Sequence, residues 1–234
     1  MKVKMDEKSK PKLIKIIIQL LILFALLVVL LFLPAGTWDW LQAWLLILFL
    51  MIYFILYIYF GIYKNPEQTR ERSKIAPNVK RWDKVIMSIY TALLPTVFIL
   101  AGLDVGRFEL SVVPIIIQII AWAGLVFAGA VIMWTVISNT YLSRYARIQD
   151  DRGQEVIITG PYKYIRHPMY LGILILFLCI GPALGSILAL VPGSMIAILF
   201  IARTAKEDGM LCEELDGYMD YTKRVRYRLV PGVW

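Results

Sequence analysis

Residues 16–38 read IIIQLLILFALLVVLLFLPAGTW and contain no charged side chain. An α-helix rises about 1.5 Å per residue, so roughly 20 apolar residues cross about 30 Å of hydrocarbon. Further uncharged stretches occupy 40–63, 85–103, 110–143 and 168–202. The pattern predicts an all-α, polytopic integral membrane protein with about five to six transmembrane helices, the last two forming a helical hairpin, and a cytoplasmic C-terminal segment.

The overall composition excludes a water-soluble globule. Of the 234 residues, 59% are hydrophobic and 18% are charged, whereas a soluble domain has about 45–50% apolar and about 25% charged residues. The first apolar stretch exceeds the roughly 7–15 residues of a signal-peptide core. We therefore expect it to be retained as a membrane anchor.

The net charge of +8 has a simple topological explanation. All 25 basic residues except Arg107 lie before the first span, between the second and third, at 144–166, or from Arg203 onward. The positive-inside rule then places 24 of them, and both termini, on the cytoplasmic side. Because topology accounts for the charge, we expect no nucleic-acid partner.

The chain divides into two parts with different patterns. Residues 1–138 predict two helical hairpins, with spans near 13–33, 40–62, 84–103 and 112–138. Residues 139–167 are polar and rich in turn-forming residues. Two cysteines and one histidine in the whole chain predict neither a disulfide framework nor a metal site.

The uncharged stretch 168–202 is flanked by Arg166 and Arg203, so it must enter the membrane and return. The segment 181–185 contains two glycines and a proline, and we expect the turn of a hairpin there. The returning helix is predicted to continue to about Leu215. This hairpin brings His167 and Arg203 to the same cytoplasmic edge.

Three ionisable side chains at this edge are candidates for chemistry. Arg203 and Glu207 are four residues apart and share a helix face, and the ring of Pro168 restricts the backbone next to His167. Ionisable groups near hydrocarbon are costly unless they are paired or used, which favours a polar pocket. The alternative is that Arg203 snorkels to the headgroups and His167 lies at headgroup level. The spacing alone does not decide between these interpretations.

Two ordered motifs in this region match a known pattern. The run TGPYKYIRHPMYLG at 159–172 resembles the GPY…RHPxYxG signature of the isoprenylcysteine carboxyl methyltransferase family and of its relatives, the membrane phospholipid methyltransferases. The residues that resemble the family's R…EE..L…G..Y..Y…P tail are Arg203, Glu207, Asp208, Leu211, Gly217, Tyr218, Tyr221 and 228–231. Asp208 replaces the family's usual second Glu. The resemblance covers about 140–234.

The resemblance implies S-adenosylmethionine-dependent methyl transfer to a lipophilic acceptor at the cytoplasmic face, with 139–234 as the cofactor-binding and catalytic subdomain. The acceptor would be the carboxylate of an isoprenylcysteine-like small molecule or prenylated protein, or alternatively the amine of a membrane phospholipid. The implied cofactor-binding residues are Gln149, Gln154, Glu155, Val156, Ile157, Tyr162, His167, Pro168, Met169, Tyr170 and Glu207. Arg203 would orient the substrate, and Arg203, Glu207 and His167 form the implied catalytic set. Gln154 stands where eukaryotic relatives often have histidine.

Two other classes of function remain as alternatives. Some NADPH-dependent sterol reductases resemble this C-terminal hairpin, but they usually have more spans. No G-x-G sequence occurs among the fifteen glycines, so a dinucleotide-type loop is not expected. A noncatalytic membrane scaffold would leave the concentration of polar motif residues at one edge unexplained.

The basic run 223–228 has two interpretations. One is a solvated face that binds anionic headgroups, at about 1 kcal/mol per basic residue. The other is a closing element of the cofactor site, acting through Tyr218, Tyr221 or Arg228.

Overall fold

The computed structural model describes residues 10–64 and 79–234. All regular structure in these ranges is helical, which confirms the predicted all-α class. The long helices are α1 (Lys10–Ala35), α2 (Leu41–Lys64), α3 (Arg81–Gly102), α4 (Ile115–Ser138), α5 (Pro168–Leu184) and α6 (Leu190–Glu214), followed by the short α7 (Tyr218–Arg224). The predicted cytoplasmic residues 1–9 and 65–78, including Lys2, Lys4, Lys8, Arg70, Arg72 and Lys74, lie outside the described residues.

Within the ranges 10–64 and 79–234, four helices are long and apolar enough to cross a membrane, and they correspond to the first four predicted spans. Their apolar segments are Ile16–Ala35, Leu41–Phe60, Arg81–Arg107 and Ile115–Ser138. Helix α5 is apolar but has only 17 residues, which corresponds to about 25 Å. Helix α6 is uncharged as far as Ala202 and carries charged residues from Arg203 onward. The chain is therefore a multi-pass membrane protein.

Helices α5 and α6 form the predicted hairpin, but its turn lies at 185–189 rather than at 181–185. Helix α5 ends in a Schellman motif: the Ser186 N–H donates to the Gly181 carbonyl at 2.9 Å, and Gly185 adopts a φ of +87°. Gly181 is needed for packing rather than for the turn, because a Cβ there would lie 2.9 Å from the Ser186 carbonyl oxygen. Pro182 is accommodated within the last helical turn.

Small residues also set the packing of α5 against α4. A Cβ on Gly172 would lie 2.5 Å from Cγ1 of Ile132, and one on Gly124 would lie 2.5 Å from Sγ of Cys179. Helix α4 therefore packs closely on α5, while α1 packs mainly on α3, and α3 packs on α6. These contacts fix the ends of α3, α5 and α6 relative to one another.

The end of the bundle opposite the motifs is held by a buried carboxylate. Asp104 lies in a π-helical turn, Leu103–Arg107, directly after α3 and is fully buried. Its Oδ2 accepts hydrogen bonds from the Ser111 hydroxyl at 2.6 Å, from the Leu188 N–H at 3.0 Å, and from the Ser186 hydroxyl. The turn of the α5–α6 hairpin is thus tied to the end of α3.

At the other end, the beginnings of α3 and α5 lie beside the last turns of α6. Nζ of Lys80 lies 2.6 Å from Oε1 of Glu214, which joins the residue before α3 to the last residue of α6. This is the edge to which the sequence assigns His167 and Arg203.

Candidate active site

A cavity of about 740 Å³ opens at this edge. It lies between α3, α5, the polar half of α6, α7 and the segment 139–167, and it has a polar part and an apolar part. The polar lining includes Asn139, Gln149, Gln154, Glu155, Tyr162, Arg166, His167, Arg203, Glu207, Tyr218 and Tyr221. The apolar lining includes Leu23, Phe54, Met87, Leu94, Met169 and Ile173.

Nearly all of the site residues implied by the resemblance meet at this cavity. Those that line it are Gln149, Gln154, Glu155, Val156, Ile157, Tyr162, His167, Met169, Tyr170, Arg203 and Glu207. Pro168 has a different position: it is the buried first residue of α5, where its fixed φ and missing N–H suit a helix start. His167 and Glu207, forty residues apart in the chain, border one common space.

Arg203 is held by a carboxylate from α3. Its Nε donates to Oδ1 of Asp83 at 2.8 Å, and its Nη2 donates to Oδ2 at 3.2 Å. Nη2 also donates to the carbonyl oxygen of Arg144 at 3.0 Å. Arg203 thus makes a two-pronged contact with Asp83, which leaves the edge of the guanidinium at Nη1 for a substrate.

His167 belongs to a cluster around Asp208. Nε2 of His167 lies 3.1 Å from Oδ1 of Asp208, and the Tyr218 hydroxyl donates to the same oxygen at 3.0 Å. The other oxygen, Oδ2, accepts from Nη2 of Arg166 at 2.9 Å and from Nε of Arg228 at 2.8 Å. A carboxylate oxygen facing Nε2 requires that this nitrogen carry the proton.

The surroundings of Asp208 favour its ionised form. Asp208 lies beyond Arg203, outside the apolar part of α6, and is 2% exposed. Burial alone would raise the pKa of this carboxyl, but hydrogen bonds from His167 and Arg228 and the charge of Arg166 hold the pKa well below its usual range. The cluster therefore contains a stable negative charge between cations.

Tyr170 lies between Arg203 and His167. The centre of the Arg203 guanidinium is 5.3 Å from the centroid of the Tyr170 ring, within the range of a cation–π contact. The hydroxyl of Tyr170 donates to Oε2 of Glu207. Three carboxylates thus orient three groups: Asp83 holds Arg203, Glu207 holds Tyr170 and Asp208 holds His167.

The polar segment 139–167 forms a wall through its own side chains. The backbone N–H of Gln149 donates to Oε1 of Gln154 at 2.8 Å, and Oε1 of Gln149 accepts from Nη1 of Arg152 at 2.7 Å. Nδ2 of Asn139 donates to the Tyr162 hydroxyl at 2.7 Å. Burial raises the pKa of Tyr162, so this phenol stays protonated.

The C-terminal tail contacts the site along its length. The backbone N–H groups of Arg166 and His167 donate to the carbonyl oxygens of Tyr227 and Arg228 at 3.0 and 2.9 Å. The Tyr221 hydroxyl donates to the carbonyl oxygen of Tyr162 at 2.8 Å. Lys223, in contrast, is exposed and paired with Asp220 at 2.7 Å. The basic run therefore has one member, Arg228, in the Asp208 cluster and an exposed part on α7.

Sequence reasoning did not identify Asp83, nor did it find that Asp208 organises the cluster around His167. The signal for Asp83 was a single acidic residue among Lys80, Arg81 and Lys84 at the start of a span. Such a residue needs a partner at membrane depth, but its partner is 120 residues away. Among the described residues, no group of three or more His, Cys, Asp or Glu side chains could hold a metal ion.

The fold and the cavity define a class: polytopic helical membrane proteins with a polar, cation-lined and carboxylate-lined pocket at one end of their spans. The sequence model of the isoprenylcysteine carboxyl methyltransferase family matches residues 117–213, from α4 to the end of α6. This part of the chain is similar to that family. No curated protein matches the chain.

Proposed function

We propose that the protein is an S-adenosylmethionine-dependent methyltransferase that methylates the carboxylate of an isoprenylcysteine-like acceptor at the cytoplasmic face of the membrane. The observation that carries the proposal is the meeting of His167, Tyr170, Arg203 and Glu207 at one cavity. The family match supplies the reaction class. The bias of basic residues toward one side supports a cytoplasmic location for the reaction site and for both termini.

The residues present fit the cofactor. A cavity of about 740 Å³ falls within the usual range of roughly 300–1,000 Å³ for ligand pockets. When bound, S-adenosylmethionine supplies a methyl group on a positively charged sulfur. The carboxylates of Glu155 and Glu207 can accept hydrogen bonds from its ammonium and hydroxyl groups, and the rings of Tyr162 and Tyr170 can lie beside its cationic part.

The apolar part of the cavity suits the chain of a lipophilic acceptor. Met87, Tyr90, Thr91 and Leu94 line it from one face of α3 at helical spacing. Leu23 of α1 and Phe54 of α2 complete this wall. The first half of the protein therefore contributes to acceptor binding, while 139–234 supplies most of the polar wall and acts as the cofactor-binding and catalytic subdomain.

The reaction needs alignment more than acid–base chemistry. A carboxylate with a pKa of about 3.5–4 is already ionised at neutral pH, so no base is required. Arg203 binds it through Nη1, and proximity and orientation can contribute roughly 7–11 kcal/mol to lowering the barrier.

A second candidate is methylation of a phospholipid amine. The pairing of Arg203 with Asp83 favours it, because two of the three guanidinium nitrogens are already engaged by a carboxylate. A lipid amine arrives protonated, so His167 or Glu207 would have to accept a proton.

Binding and product analysis test the proposal. The purified protein in detergent is titrated with S-adenosylmethionine and, separately, with NADPH. We expect saturable binding of S-adenosylmethionine and its loss in Glu207→Ala. Binding of NADPH alone would indicate a reductase, and binding of neither ligand would indicate a scaffold.

Product analysis identifies the acceptor. Methyl incorporation from radiolabelled cofactor into S-farnesyl-cysteine gives an ester that alkali hydrolyses to methanol. Incorporation into phosphatidylethanolamine gives an alkali-stable N-methyl group.

A further inference from the structure

Asp83 lies in the first turn of α3, outside the segment 117–213 that matches the family. Its side chain is fully buried. We propose that Asp83 is a positioning residue, which fixes the guanidinium of Arg203 in the orientation that binds the methyl acceptor. This inference rests on the proposed function and names a further residue for it.

The contacts of Asp83 determine both the direction and the plane of the guanidinium. Oδ1 accepts from Nε of Arg203 at 2.8 Å, and Oδ2 accepts from Nη2 at 3.2 Å. Two parallel hydrogen bonds of this kind fix a planar guanidinium much more tightly than a single contact does. Arg203 is therefore held along one edge.

Asp83 also connects the arginine to the wall of the cavity. Its Oδ2 accepts from the backbone N–H of Ala146 at 2.7 Å, and Nη2 of Arg203 donates to the carbonyl oxygen of Arg144 at 3.0 Å. The carboxylate thus joins α3, α6 and the segment 139–167 at one point. A shift of any of these three elements would turn the guanidinium.

The remaining surroundings of Arg203 explain why the orientation matters. Its guanidinium lies over the ring of Tyr170 at 5.3 Å and near the ring of Phe200 at 5.7 Å. With the Nε–Nη2 edge held by Asp83, the Nη1 edge is left for the acceptor. Without Asp83, a side chain that is 5% exposed would have to find another partner, because a buried charge is costly when unpaired.

A purely structural role for Asp83 is the competing explanation, and the chain offers a matched control for it. Asp104 is also fully buried and belongs to the same span, Arg81–Arg107. It lies at the other end of that span, in the π-helical turn Leu103–Arg107. Its contacts are with Ser111, Ser186 and Leu188, none of which lines the cavity. Asp104→Asn therefore measures the cost of neutralising a buried carboxylate without disturbing Arg203.

The experiment compares Asp83→Asn, Asp83→Ala and Asp104→Asn with the wild type in detergent. Three quantities are measured: the thermal midpoint, the Kd for S-adenosylmethionine, and kcat and KM for whichever of S-farnesyl-cysteine or phosphatidylethanolamine the wild type methylates. We expect kcat/KM for the acceptor to fall about 100-fold in Asp83→Asn, the usual cost of misplacing a reacting partner by about 1 Å. The Kd for the cofactor should stay near the wild-type value, and Asp104→Asn should lower only the thermal midpoint.

Chemical rescue separates positioning from stability. Formate is a free carboxylate that fits the space vacated in Asp83→Ala, and we expect it to restore part of the acceptor turnover without raising the thermal midpoint equally. Equal losses of turnover in Asp83→Asn and Asp104→Asn, or a loss of cofactor affinity in Asp83→Asn that matches the loss of turnover, would overturn the positioning role. Normal turnover in Asp83→Asn would overturn the positioning role of Asp83 and leave the proposed methyltransferase function standing. A wild type that binds no S-adenosylmethionine overturns the proposed function and the positioning role with it.

Discussion

The imidazole of His167 stacks on the ring of Tyr170, with centroids 5.7 Å apart and ring planes within 5° of parallel. The two residues are three apart at the start of α5, a spacing that places them on the same side of the helix. On α6, the adjacent residues Glu207 and Asp208 hold the two rings, Glu207 at the Tyr170 hydroxyl and Asp208 at Nε2 of His167. Two neighbouring carboxylates therefore fix two neighbouring rings across the hairpin.

Replacing Glu207 by Gln tests the acidic side of this arrangement. We expect the affinity for S-adenosylmethionine to fall roughly 10- to 100-fold, because a hydrogen bond to a charged group contributes about 1.5–3 kcal/mol. Isothermal titration calorimetry measures the change. Tyr170→Phe is the matched control, since it removes the hydroxyl but keeps the ring and the charge of Glu207; its loss should be smaller. Unchanged affinity in Glu207→Gln would show that this carboxylate does not contact the cofactor.

Replacing Arg203 by Ala should separate turnover from cofactor binding. We expect kcat for the acceptor to fall roughly 100- to 1,000-fold, the usual cost of removing one preorganised donor, while the cofactor Kd changes little. Single-turnover kinetics at saturating cofactor measure the first quantity and calorimetry the second. An equal loss in both would contradict the assignment of Arg203 to the acceptor.

The lowered pKa of Asp208 predicts a pH dependence of stability. Because the folded-state pKa lies below the unfolded value of about 3.9, the stabilisation is fully present above that pH and is lost as the pH falls toward the folded-state pKa. Asp208→Asn should therefore have a lower thermal midpoint than the wild type at pH 6. The difference should shrink as the pH is lowered below about 4. A constant difference across this range would mean that ionised Asp208 does not stabilise the fold.

The apolar wall predicts selection for the length of the acceptor chain. Leu94 is the lining residue of α3 farthest along the helix from Arg81, so Leu94→Trp should close the deep end of the cavity. We expect KM to rise more for S-farnesyl-cysteine than for S-geranyl-cysteine. Ile89→Trp is the control, because Ile89 is on the same helix but 42% exposed. The same rise in KM in Leu94→Trp and Ile89→Trp would show that the isoprenoid chain of the acceptor does not bind against Leu94.

The sequence predicted the parts of this fold that depend on local pattern. Uncharged runs of sufficient length located the first four spans, and the bias of basic residues placed the hairpin ends at one edge. The turn of the hairpin was predicted a few residues too early because Gly181 resembles a helix breaker. In the structure, Gly181 allows the close approach of α6 to α5, and only Gly185 has the positive φ of the turn.

The network of long-range partners could not be predicted in the same way. Arg203 and Glu207 are linked by helical spacing, so their common face was predictable. The pairing of Arg203 with Asp83 depends on the packing of α3 against α6, which no local pattern specifies. No local pattern specifies the partners of Asp208 either. Its four partners come from the two residues before α5, from α7 and from the C-terminal tail.

The central claim is that two distant stretches of the chain form one S-adenosylmethionine site. Photo-crosslinking of radiolabelled S-adenosylmethionine to the purified protein, followed by peptide mapping, tests it most directly. We predict labelled peptides from both 149–170 and 203–221, with labelling suppressed by unlabelled S-adenosylmethionine and not by NADPH. Labelling confined to one of the two stretches, or suppressed by NADPH, would contradict the claim.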